Sequence, residues 1–140
     1  MKSNQFRWIL SFLLIVVISL TIMVTYYNKP HINVRETKVD YTLSTINLIE
    51  EYQQDEGATD KKYSEHVLQL EGKIFEISAQ QGNSVITLKD KGSESSVICQ
   101  MMAEENKKML KLKKGDNISI KGVCTGYLLD VIMVRCILVE

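Results

Sequence analysis

The side chains of this chain that could do chemistry are few and poorly spaced for it. Its two histidines, His31 and His66, stand far apart with no companion at metal-ligand spacing, so no metal site is expected. Glu50 with Glu51 and Glu104 with Glu105 are neighbouring carboxylates in helix-forming stretches. Adjacent residues on a helix point in different directions, so neither pair can work as an acid/base couple. No GxSxG, HExxH, GxGxxG or P-loop pattern occurs, and Gly82, Gly92, Gly115 and Gly126 fall in expected turns. The expectation is a protein that is not an enzyme, with no catalytic residue and no cofactor. Cys99, Cys124 and Cys136 are odd in number and lack a CxxC spacing, which defines neither a disulfide framework nor a zinc ribbon. Lys107, Lys108, Lys111, Lys113 and Lys114 form a basic cluster. It reads as a solvated helix end, or as a contact for anionic lipid or phosphate, without aromatic residues nearby to stack bases.

The elements that must position these residues begin with a very apolar segment. The chain has 140 residues, 45% of them apolar, enough for one domain of ordinary size and one anchor. From Phe6 to Tyr27 the only charge is Arg7, and a helix over that stretch is about 33 Å long, enough to cross a bilayer core of about 30 Å. Trp8 at one end and Tyr26 and Tyr27 at the other suit the two membrane interfaces. No small-x-small site follows the apolar run, so residues 1–27 are expected to be an uncleaved signal anchor rather than a cleaved signal peptide. The lipid bilayer is then a partner through residues 6–27. The short basic start favours N-in insertion, which places the domain on the outer side of the cytoplasmic membrane. Lys2 and Arg7 precede the apolar run, so the rest carries all 17 acidic residues against 15 of the 17 basic ones. A slightly acidic domain lacks the general electrostatic attraction for nucleic acid.

Residues 28–39, with Pro30, read as a polar tether, and residues 40–140 as the folded domain. Leu43, Ile46, Ile49 and Tyr52 recur every three residues after a cap at Asp40 or Thr42. They predict an amphipathic helix with Leu48 beside the stripe and Gly57 as its stop. Val67 to Ile77 reads as a long strand that changes phase around Gly72. Val85–Lys89 and Ser96–Met101 follow as strands two and three, and Ala103–Leu112 as a helix with Met109 and Leu112 inward. Ile118 to Val139 closes the domain as a hairpin. In its second run Arg135 marks the outer side, so Ile132, Val134, Cys136 and Leu138 are expected to point inward.

Three strands, the first long and bent, then a helix, then two more strands is the order of an OB-fold. The fold class expected is mainly β with helices: a five-stranded Greek-key OB-fold barrel preceded by an N-terminal transmembrane helix and one amphipathic helix. The chain also resembles the tRNA-anti-like family of bacterial OB-fold domains, many of them lipoproteins. The resemblance rests on Leu48 and Tyr52, Ala58 and Tyr63, Val97 and Cys99, and the KG-C-G-LLDV-C pattern from Lys121 to Cys136. It covers residues 43–139 and implies an OB barrel exported to the cell envelope, with no catalytic residues to transfer. The lipid-attachment cysteine of the lipoproteins is missing, and the apolar helix stands in its place.

Ligands of OB-folds are usually held on strands two and three, between the loops after strands one and four. That rim contains Gln81, Asn83, Tyr127 and Asp130, with Tyr127 as its sole aromatic. The reading is a membrane-anchored, extracytoplasmic, non-catalytic binding module for a protein or small ligand. A single-stranded nucleic-acid-binding domain is the alternative that the fold offers. By strand parity Cys124 lies opposite Ile132 and Cys136 opposite Ile120, which holds those two cysteines about 13 Å apart. Cys99 and Cys136 are then the pair able to form a disulfide in an oxidising compartment, and in a reducing one all three remain core thiols.

Overall fold

The computed structural model describes residues 2–27 and 32–139. The chain divides into two compact units, the first ending at Ile32 and the second beginning at Asn33. Residues 28–31 of the expected tether, Pro30 and His31 among them, lie outside the described residues.

The described part of the first unit holds one helix, α1 (Lys2–Tyr27), whose Arg7–Tyr27 stretch has a mean hydropathy of 2.6, long and apolar enough to cross a membrane. Three of its hydroxyls bond its own backbone. Ser11 Oγ donates to Arg7 O at 3.0 Å, Thr25 Oγ1 to Thr21 O at 2.9 Å, and Thr21 Oγ1 to Val17 O. Back-bonding of this kind gives a side-chain hydroxyl a partner in an apolar medium.

The second unit opens with a turn on Asn33, whose carbonyl accepts from the amides of Glu36 and Thr37 at 3.1 and 2.9 Å. This turn is docked rather than free. Val34 is buried, Arg35 pairs with the buried Glu105 at 2.7 Å, and Lys121 Nζ donates to Thr37 O at 2.6 Å. Asp40 then grips the barrel twice, its amide donating to Val67 O and its Oδ2 accepting from Val67 N, both at 2.8 Å.

That grip explains a departure from the sequence expectation. Instead of capping a helix, residues after Asp40 form a short strand, β1 (Tyr41–Ser44), and the cap moves to Ser44, whose Oγ accepts from Asn47 N. Helix α2 (Thr45–Gln54) buries Leu48, Ile49 and Tyr52 as the stripe predicts, while Ile46 is 46% exposed. Gly57 stops nothing. Asp55 starts a second helix, α3 (Glu56–Tyr63), by accepting from Ala58 N at 3.0 Å, and Gly57 lies inside it.

The barrel proper is built from β2 (Val67–Gln80), β3 (Asn83–Leu88), β4 (Val97–Met101), β5 (Asn117–Tyr127) and β6 (Val131–Val139). Sheet order is β1-β2-β3-β4-β6-β5, and a β2–β5 pairing closes the barrel. β1 adds in parallel to β2 outside the closed ring. The first half of β2 pairs with β5 and the second with β3, so one strand serves both sides as its phase change predicts. Gly72 sits at the bend because a Cβ there would overlap the Thr45 hydroxyl of α2. The expected helix at 103–112 is shorter, a 3₁₀ turn (Ala103–Glu105) followed by α4 (Asn106–Met109), with Met109 buried. This is the five-stranded OB-fold, and its core is one cluster running from Leu48 and Tyr52 to Met133 and Cys136.

The closing hairpin corrects the expected register. Ile120 faces Leu138 and Cys124 faces Met133, with irregularities in the pairing between Lys121 and Val123 and between Cys124 and Gly126. Arg135 has φ 53, a left-handed conformation that inserts an extra residue into β6. The alternation therefore changes phase there. Val131 and Met133 point into the core before it and Cys136 after it, while Ile132 and Val134 lie outside. Met101 pairs with Cys136, and Cys99 with Met133. All three cysteines are free, buried thiols here.

Candidate functional site

At one end of the barrel the last turn of α2, the start of α3, the β3–β4 loop and the β5–β6 turn converge. They enclose a cleft of about 660 Å³ lined by Tyr52, Gln53, Glu56, Ser93, Glu94, Ser95 and Tyr127. Tyr52 reaches it from the core stripe of α2. Its ring stacks on Tyr127 with centroids 5.2 Å apart and planes inclined by 17°. Burial holds the Tyr52 hydroxyl far above the ordinary tyrosine range, and its contact with Cys124 Sγ at 3.6 Å adds to the effect. It stays a neutral phenol whose partners are Cys124 and, at 3.5 Å, Asp60.

Gly126, with φ 121, lets β5 pass this point, since a Cβ would stand 2.9 Å from Asp60 Oδ1. Tyr127 shares a 3.0 Å hydrogen bond with Ser95 Oγ. Asp130 is used internally: its Oδ1 accepts from Ser96 N at 2.6 Å and from Ser96 Oγ at 2.7 Å, and Val131 N donates to Ser96 O at 3.0 Å. Beyond this clamp the hairpin tip projects two leucines, Leu128 and Leu129, which are 85% and 80% exposed.

The four rim residues read from sequence thus separate into two groups. Tyr127 and Asp130 sit at this end, Tyr127 lining the cleft and Asp130 holding it together. Gln81 and Asn83 lie at the opposite end of β3, where Asn106 ties the turn by donating to Gly82 O at 2.9 Å and accepting from Ser84 N at 3.0 Å. Tyr52, Glu56, Glu94 and Ser95 belong to the cleft and were missed. Tyr52 carried a signal, as a polar-tipped residue in an apolar stripe, but Glu94 and Ser95 sit in an ordinary turn.

Between the two ends, the outer face of the barrel carries no aromatic residue on β3 or β4. Val85, Thr87, Ile98 and Gln100 alternate with the core positions there, continued by Ile132 and Val134 on β6. One aromatic does meet the lysines, contrary to the sequence reading. Phe75, at the irregularity of β2 and 43% exposed, has Lys114 Nζ 4.5 Å and Lys89 Nζ 5.8 Å from its ring centroid. His66 is a structural residue, its Nδ1 against Ser64 O at 3.0 Å and its ring edge-on to Tyr41.

Fold and site together define a small OB-fold domain, led by an apolar helix, whose built features are a clamped polar cleft and exposed apolar tips. The chain belongs to the tRNA_anti-like family, whose pattern it matches over residues 1–138. Among curated proteins none matches it significantly. Among solved structures, a lipoprotein from Klebsiella pneumoniae subsp. pneumoniae, provisionally assigned as nucleic acid-binding, aligns with a TM-score of 0.61 at 11% identity. It covers 70% of this chain and 91% of its own. The Stn1–Ten1 complex of S. pombe aligns at a TM-score of 0.42 and 15% identity over 53% of this chain and 58% of its own. Asparaginyl-tRNA synthetase of Entamoeba histolytica, in complex with asparaginyl-adenylate, aligns at 0.42 and 14% over 55% of this chain and 21% of its own. At these identities the likeness is one of fold.

Proposed function

We propose that this protein is a non-catalytic binding module, held by α1 on the outer side of the cytoplasmic membrane, that receives a protein segment at the β5–β6 end of its barrel. The observation that carries this reading is the chemistry of that end. The cleft lining holds two carboxylates, Glu56 and Glu94, and no cation, and beside it stand the exposed Leu128 and Leu129. A phosphodiester chain would meet like charge there, whereas a peptide offers apolar side chains for the leucines and donors for the carboxylates.

A second reading is supported by Phe75 between Lys89 and Lys114, an aromatic ring with cations as a single-stranded nucleic acid would use. The provisional role of the Klebsiella lipoprotein points the same way. Titration of labelled single-stranded oligonucleotides into the full chain in uncharged micelles separates the two. The protein-segment reading expects no binding at moderate salt. Binding with a steep salt dependence that Phe75→Ala abolishes overturns it. A reporter fused after Glu140 is expected to behave as exported, and cytoplasmic reporter activity would remove the envelope premise.

A further inference from the structure

The basic segment after β4 has a feature that a merely solvated helix end does not require. Leu110, the residue after α4, is 87% exposed, although Met109 beside it is buried. Around Leu110 stand Lys107, Lys111, Lys113 and Lys114, all exposed. Among the described residues none of these four forms an ion pair, whereas Lys108 on the inner side meets Glu105 at 3.4 Å. Lys107, Leu110 and Lys111 are spaced three and four residues apart, and Lys111 N still bonds Lys108 O in a helical turn, so the three share one outward face. Lys114, 4.5 Å from the Phe75 ring, joins a second exposed apolar side chain to this surface.

We infer that this face is a second membrane contact, in which the lysines engage anionic lipid headgroups and Leu110 enters the headgroup–acyl boundary. An apolar side chain ringed by ammonium groups matches a surface that is negative outside and apolar just beneath. A nucleic acid would use the charges but has no use for an exposed leucine. The covalent connection favours the bilayer further. The same chain carries the apolar helix, which ends at Tyr27, and the second unit, which begins at Asn33. The chain enters the barrel at Arg35, which is bonded to Glu105, two residues before Lys107. The inference rests on the anchor proposed above but not on what the cleft binds.

The test uses the full chain in nanodiscs with brominated acyl chains, made either of phosphatidylcholine alone or with phosphatidylglycerol added. Trp8→Phe removes the single native tryptophan and Leu110→Trp places an indole in the contact. The expected result is quenching and a blue shift of the indole emission when phosphatidylglycerol is present, reversed by high salt and lost on combining Lys107→Glu, Lys111→Glu and Lys113→Glu. Emission that ignores phosphatidylglycerol overturns the inference. So does a blue shift without quenching that grows with protein per disc, which would mean that a second copy covers the face. A chain that fails to enter the discs refutes the anchor itself, whereas one that enters unquenched refutes this contact alone.

Discussion

Asp130 is the rim residue whose role the structure changes most, from a possible ligand contact to a clamp, and its replacement gives a quantitative test. Its Oδ1 accepts both the amide and the hydroxyl of Ser96, at 2.6 and 2.7 Å, and Ser96 is only 6% exposed. In Asp130→Ala both Ser96 groups lose a charged acceptor in a place where water replaces it poorly. An unsatisfied buried donor costs about 1–3 kcal/mol, and the hydroxyl can turn toward another acceptor, so the expected loss is about 2–4 kcal/mol. Asp130→Asn retains an oxygen at the same position and should lose only about 1 kcal/mol. With a urea dependence of about 2 kcal/mol per molar, the middle of the range for small proteins, the alanine variant's midpoint should fall by about 1–2 M. The assay is urea unfolding of the full chain in uncharged micelles, followed by near-ultraviolet circular dichroism, to which the Tyr52–Tyr127 stack contributes. An alanine variant that unfolds with the wild type would refute the clamp, and an asparagine variant as weak as alanine would refute its dependence on the oxygen acceptor.

Two further expectations concern titratable groups. The Glu51 carboxylate accepts from Lys62 Nζ at 2.8 Å and from the Tyr63 hydroxyl at 3.0 Å, and the Lys62 bond, opposed by partial burial, holds its pKa below the ordinary 4.5. Because the folded value is the lower one, the contribution to stability is whole above the ordinary value and disappears as pH falls through the folded value. The melting temperature of Glu51→Gln should therefore lie below wild type at neutral pH and converge on it as the pH falls below the ordinary 4.5 and through the folded value; a constant difference would exclude the linkage. The cysteines should resist alkylation until the barrel unfolds, since burial pushes the Cys124 and Cys136 thiols up, with a hydrogen bond to Cys99 adding at Cys136. In protein recovered from an oxidising compartment, non-reducing peptide maps should show a linkage between Cys99 and Cys136 and no other; one joining Cys124 to Cys136 would contradict the placement of β5 and β6.

What local sequence determined is whatever local periodicity encodes. The apolar run of α1, the stripe of Leu48, Ile49 and Tyr52, the turns at Gln81–Gly82 and Gly92, and the alternation in β5 each act within a few residues. Their order along the chain is enough for the OB barrel. What only the tertiary structure decided depends on partners distant in sequence. β1 has four residues and forms because β2, more than twenty residues on, offers a parallel edge and Asp40 clasps Val67. Arg135 takes its positive φ because the pairing of β6 with β5 and β4 demands an extra residue there, and that single insertion turns Ile132 and Val134 outward. The cleft gathers Tyr52, Glu56, Ser95 and Tyr127 from four elements whose only common property is to end at the same rim of the barrel. Periodicity tells each strand which side is buried. Closure of the barrel decides which ends meet, and the chemistry of the rim follows from that meeting.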